Sequence, residues 1–166
     1  MHGIQVAVVG AEAHAMAAAA KHWCRAGAIR IELCGGVPVG VAAEVARSVP
    51  PHTSIGLVRY SYESVDAVAT FKLREQGGEA PRVGFIILDP AAPPLLVEHR
   101  DGQFNRVQKA SDVPSIVENM SQNDFGLIEL YGGLGILDAD DATRRSHGLP
   151  IGFAEHDLAK GHHRVN

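Results

Sequence analysis

One hexapeptide pattern occurs twice in this chain, as Ile31-Glu32-Leu33-Cys34-Gly35-Gly36 and as Ile128-Glu129-Leu130-Tyr131-Gly132-Gly133. Each copy is an apolar run broken by a single glutamate and closed by two glycines. That is the pattern of a buried strand entering a tight turn. A helical stretch follows each turn, and then a short apolar strand opening Ser54-Ile55-Gly56 in the first case and Pro150-Ile151-Gly152 in the second. The two spacings agree to within one residue. The pattern predicts a tandem duplication of one α/β unit.

The rest of the chain fills in that frame. Ile4 to Val9 is a β-rich run stopped by Gly10 and predicts a first strand. Ala11 to Ala26 favours helix, with Gly27 placed as its C-terminal cap. Ile29 to Cys34 predicts the second strand and Gly40 to Ser48 a short helix that Pro50-Pro51 cannot continue. Ile55 to Tyr60 predicts a third strand, and Tyr62 to Gln76 a helix with Ser61 or Ser64 as cap. After the linker Gly77 to Pro81, Val83 to Leu88 opens the second copy as a strand. The second copy then departs from the first. A proline-rich connection, Asp89 to Pro94, leads into two apolar runs around Asp101-Gly102, the signature of a β-hairpin. A helix over Ser111 to Met120, capped by Ser111 or Asp112, a strand over Leu127 to Tyr131, a helix over Asp138 to His147 and a strand over Ile151 to His156 complete it.

Strands alternating with helices call for βαβ units and a mostly parallel sheet with helices on both faces. The expectation is therefore an α/β protein. It is one compact domain of two β-α-β-α-β repeats (1–76 and 82–157) related by a pseudo-twofold axis, with a hairpin inserted in the second repeat. Residues 158–166, including Gly161-His162-His163, form a loose tail. An open sheet and a small barrel both satisfy the pattern.

Composition excludes several classes. A net charge of −4 over 166 residues, with Arg144-Arg145 standing behind Asp138, Asp140 and Asp141, lacks the basic stripe of a nucleic-acid partner. No apolar run approaches the roughly 20 residues of a membrane span. Two cysteines, Cys24 and Cys34, are too few for a disulfide framework, and with no signal peptide they imply reduced thiols in the cytoplasm.

The paired motifs, Ile31 to Gly36 with Ile55 to Tyr60 and Ile128 to Gly133 with Pro150 to Phe153, resemble those of an uncharacterised prokaryotic α/β domain family. The second copy is similar over its whole length, including Asp101-Gly102, whereas the first lacks the hairpin. The resemblance implies the fold and brings no activity, cofactor or ligand with it.

The candidate site residues follow from position. Glu32 and Glu129 interrupt strands that should be buried, where a carboxylate needs partners and desolvation raises its pKa. They are either an acid–base or ligand-orienting pair, or structural pins held by backbone donors or by an arginine such as Arg30. Gly35, Gly36, Gly132 and Gly133 precede helices at strand C-termini, where backbone N–H groups hold anions in open parallel sheets. They serve that purpose or only the turn. Neither copy has a dinucleotide fingerprint or a P-loop lysine. Cys34 stands at a turn that can lower a thiol pKa, and its counterpart is Tyr131. His156 ends the last strand opposite Tyr60 in the first copy, and a Cys34–His156 nucleophile pair is one arrangement. Arg59 and Glu155 are also counterparts, suited to pairing with each other or, for Arg59, to clamping an anion. The nine histidines show no metal-ligand spacing, so neither a metal nor another cofactor is expected. Two functional readings result. One is a pocket for a small anionic metabolite at the two Glu-Leu-x-Gly-Gly turns, with or without catalysis. The other is a non-catalytic assembly module that forms a homo-oligomer.

Overall fold

The apolar runs and helical stretches fold into seven strands and five α-helices among residues 6–156, the part of the chain that the computed structural model describes. Two compact units result: Val8–Val58 with residues 155–156, and Arg59–Ala154 with residues 6–7.

In the smaller unit, α1 (Met16–Arg25) ends at Gly27, whose φ of +100° suits a residue without a Cβ. There the Ala28 N–H reaches back to the Trp23 carbonyl at 2.9 Å. Strand β1 (Arg30–Leu33) runs parallel to β2 (Ser54–Tyr60), with Arg30 beside Ser54 and Glu32 beside Gly56. Between them in sequence, α2 (Val39–Ser48) stops before Pro50-Pro51. Side chains alternate across a sheet. Ile31, Leu33 and Ile55 therefore share one face, which packs on Ala20 of α1 and on Val45 and Val49. The same alternation sends Arg30, Glu32 and Ser54 to the opposite face. The polar group is a consequence of strand periodicity and register.

The larger unit has strand order β7-β6-β3-β5-β4. Here β3 is Arg82–Leu88, β4 is Leu95–His99, β5 is Gly102–Val107, β6 is Phe125–Tyr131 and β7 is Ile151–His156, whose last two residues belong to the smaller unit. All neighbours in that order are parallel except the hairpin partners β4 and β5. Ile86, Ile128, Leu130 and Leu134 are almost wholly buried in one cluster with Val113, Val117 and Met120 of α4 (Val113–Ser121) and with Ala139 and Ala142 of α5 (Ile136–Thr143). Each such aliphatic side chain contributes about 1.5–3 kcal/mol by leaving water. On α3 (Val65–Gln76) no residue is buried, although Phe71 covers Gly126 so closely that a Cβ there would lie 2.5 Å from its ring.

The expected α/β class, the mostly parallel pairing and the hairpin are all present. The hairpin is more than an insertion: β5 pairs with β3 over its full length, Val83 beside Gly102 through Leu88 beside Val107. Its turn falls on Arg100-Asp101, one residue earlier than expected, because Gly102 already lies in the ladder and faces the Val83 carbonyl, 2.5 Å from where a Cβ would stand.

The expected first strand is absent over Val6–Val9, with Ile4 and Gln5 outside the described residues. Val8 and Val9 are 67% and 49% exposed, and strand propensity without a neighbour to pair with does not make a strand. The helix caps also differ. Ser61 and Ser64 bond each other through their hydroxyls at 3.2 Å instead of capping α3, and no side chain caps α4. Short 3₁₀ turns at Ala13–Ala15, Tyr62–Ser64 and Ala110–Asp112 lead into α1, α3 and α4 instead. The expected loose tail lies outside the described residues.

Candidate functional site

On the polar face of the smaller unit, three side chains form a continuous hydrogen-bonded line. The Ser54 hydroxyl lies 2.9 Å from His156 Nδ1, and His156 Nε2 lies 3.0 Å from Glu32 Oε1. With Glu32 ionised and the imidazole neutral, Nε2–H donates to the carboxylate, so Nδ1 carries the lone pair and accepts the serine proton. The line therefore has a direction, from serine through imidazole to carboxylate. Arg30 Nη1 stands 4.0 Å from the same Glu32 oxygen and its side chain is half exposed. The His156 and Glu32 side chains keep 23% and 12% of their exposure, enough for contact with a small solute.

Gly56 makes this line possible. It sits beside Glu32 in the β1–β2 register, and the His156 ring passes over it. A Cβ at Gly56 would stand 2.9 Å from His156 Cε1 and 3.1 Å from Nδ1. The glycine is the gap through which a histidine reaches the glutamate beyond it.

Glu129, in the larger unit, is 4% exposed. Its two oxygens accept from two phenols, Oε1 from Tyr60 at 2.8 Å and Oε2 from Tyr131 at 2.5 Å. Tyr131 follows Glu129 by two residues and so shares its face of β6, and Phe85 lies against the Tyr131 ring, 6.4 Å between centroids. A buried carboxylate accepting two O–H donors has the compensation that burial demands. Its register neighbour is again a glycine, Gly152.

Cys34 is exposed, while both nitrogens of His156 are engaged by Ser54 and Glu32. Arg59 and Glu155 are exposed, in the larger and the smaller unit respectively. The two glycine turns are not alike. Gly132 and Gly133 have φ of +78° and +90°, and a Cβ on Gly132 would lie 2.2 Å from the Leu88 carbonyl oxygen. Gly36 has nothing within 4 Å of where its Cβ would be, and Gly35 opens the same turn. At the start of α5 the Gly135 N–H donates to Asp138 Oδ2 at 2.8 Å, so the chain supplies its own carboxylate there. Two open hollows occur in the larger unit. One of about 380 Å³ lies between Leu96, Asn105 and Ile116, and one of about 360 Å³ between Phe71, Gly126 and Leu149. Neither is lined by a candidate residue. Among the described residues no group of three or more His, Cys, Asp or Glu is placed to hold a metal ion.

Two functional-type side chains were not singled out by sequence reasoning. Ser54 was quoted only as a strand start, yet its register position beside Arg30, two before Gly56, puts it on the face of Glu32. Asp89, 2% exposed at the end of β3, bonds the Ala91 N–H at 3.1 Å. This is an Asx turn that shapes the proline-rich connection.

Residues 2–72 match the profile of a family of unknown function (DUF6506). The matched stretch contains Glu32, Ser54 and Gly56. No curated protein and no solved structure matches the chain. Among the described residues no helix is long and apolar enough to cross a membrane.

Proposed function

We propose that this protein binds and transforms a small anionic metabolite at the polar face of its smaller unit, with His156 as the proton-transferring base. Glu32 orients the imidazole, Ser54 supplies the exchangeable proton, and the half-exposed Arg30 meets the negative charge of the ligand. One comparison carries this reading. Both units keep a strand glutamate beside a glycine, but two phenols donate to the glutamate of the larger unit, whereas a serine-bonded histidine stands on that of the smaller. The Ser54–His156 pair brings an imidazole nitrogen that can take a proton beside a hydroxyl that can give one. Glu129, buried and doubly bonded, is the structural member of the two. A cytoplasmic setting fits a chain with only two cysteines.

The test is a thermal-shift panel of small carboxylates and phosphate monoesters against wild type and His156→Gln. A ligand that stabilises the wild type and loses its effect in the variant supports the site. Shifts of equal size in both proteins, or none with any ligand, reject it.

A second reading has its own observation. All five residues of the edge strand β4 are exposed, including Leu95, Leu96 and Val97 at 43%, 57% and 47%, and an apolar edge is a template for pairing with another chain. An assembly module that forms homo-oligomers through β4 fits that feature. Sedimentation of wild type and Leu96→Lys separates the readings: a dimer that the substitution dissolves favours assembly, and a monomer in both cases removes it.

A further inference from the structure

We infer that Ser54 is an acyl-accepting nucleophile, so that the smaller unit carries the chemistry of an esterase or thioesterase. The inference rests on the site proposed above and assigns its reaction. A serine hydroxyl is a weak nucleophile until an adjacent base takes its proton, and that base must be fixed by a third group. Ser54, His156 and Glu32 have that connectivity at 2.9 and 3.0 Å. The three come from different strands: Glu32 from the middle of β1, Ser54 from the first position of β2 and His156 from the last position of β7. Their convergence is thus a product of the fold and not of local sequence.

The nitrogens are used in the opposite sense from the common arrangement, in which the serine faces Nε2. Imidazole is competent either way, because what matters is that one nitrogen accepts while the other donates to a carboxylate. As the Ser54 oxygen bonds to the acyl carbon, its proton passes to Nδ1 and the carbonyl π pair moves to oxygen. The resulting imidazolium is stabilised by Glu32. Collapse of the tetrahedral species breaks the bond to the leaving oxygen or sulfur, which takes the proton from Nδ1. Water then repeats the sequence on the acyl-serine: it gives a proton to Nδ1, the acyl–Ser54 bond breaks, the carboxylic acid leaves, and Ser54 recovers its proton. No redox partner or metal enters the balance. Arg30, beside Ser54 in register, selects acyl groups that bear a negative charge.

The larger unit provides an internal comparison. At the corresponding positions it has Pro150 for Ser54 and Tyr60 for His156, a proline with no hydroxyl and a phenol that donates to Glu129. The glutamate is common to both, and the nucleophile and base occur in one.

The experiment is covalent trapping of the full chain with a fluorophosphonate, read by intact mass and peptide mapping. The expected result is a single adduct on Ser54 that is absent in Ser54→Ala and forms at least 100-fold more slowly in His156→Gln. Circular dichroism should be unchanged in both variants. Gly56→Ala, which displaces the ring without touching any of the three groups, should slow labelling at least 10-fold. Labelling at another residue, labelling insensitive to His156, or no labelling of a folded wild type overturns the nucleophile. If labelling is absent but the metabolite panel still gives a His156-dependent thermal shift, the nucleophile alone fails and the binding reading stands. If both are absent, both fail.

Discussion

Gly56 lies beneath the ring of His156, and a methyl group in place of its hydrogen would stand 2.9 Å from Cε1. Gly56 is itself buried, and alanine fits a pleated backbone at least as well as glycine. Relief of the clash falls on the histidine, the more mobile partner. Gly56→Ala should therefore break the contacts to Ser54 and Glu32 while changing the unfolding free energy by less than about 1 kcal/mol. Proton NMR titration of His156 together with urea unfolding checks this. An unshifted His156 titration in the variant would mean that the ring does not depend on the gap.

Glu129 should behave as a structural group. Tyr60→Phe removes one of its two phenol donors inside the larger unit, and an unmet need of a buried carboxylate costs on the order of 1–3 kcal/mol. Glu32→Gln, at a partly exposed position, should cost less than about 1 kcal/mol and instead alter the pH profile of labelling at Ser54. Equal stability losses from the two substitutions would contradict the division of roles.

The two glycine turns should respond unequally. Gly132→Ala forces a side chain to φ of +78° and against the Leu88 backbone at 2.2 Å, so a loss of about 3 kcal/mol or more, or failure to fold, is expected. Gly36→Ala meets nothing within 4 Å and should stay within about 1 kcal/mol of wild type. Chemical denaturation of the pair decides the matter, and similar losses would refute the asymmetry.

One pH effect belongs to the hairpin turn. The Arg100 guanidinium donates to Asp101 at 2.9 Å and holds that carboxyl below its ordinary value of 3.8. A depressed carboxylate adds stability that is present above the unfolded pKa and lost as pH falls through the folded one. Asp101→Asn should therefore flatten the acid limb of the stability curve below about pH 4 and leave neutral pH unchanged, by a small amount because the pair is exposed. Thermal unfolding from pH 2 to pH 7 measures it. A variant that changes the neutral plateau but not the acid limb would exclude this cause.

Much of the fold was legible because strand and helix periodicities are local. The turns at Gly27 and Gly35-Gly36, the proline stop after Ser48 and the hairpin around Asp101 all declare themselves within a few residues. Glu32 and Glu129 were legible as anomalies, charges in apolar strands. What separates them was not. Their different surroundings depend on which side chains bond them, His156 in one case and the phenols of Tyr60 and Tyr131 in the other, and on Ser54, whose place in the line rests on strand register. Val6–Val9 misled for the same reason, since strand composition is local while a pairing partner is not.

The line from Ser54 to Glu32 closes across 124 residues of sequence, through His156. The stretch that matches the family, 2–72, holds the serine, the glycine gap and the glutamate but not the imidazole. During synthesis, then, the glutamate and the serine are made long before the imidazole, and the hydrogen-bonded line can form only when the seventh strand has been made. Chains ending before His156 would keep every helix of the smaller unit and lack the line altogether.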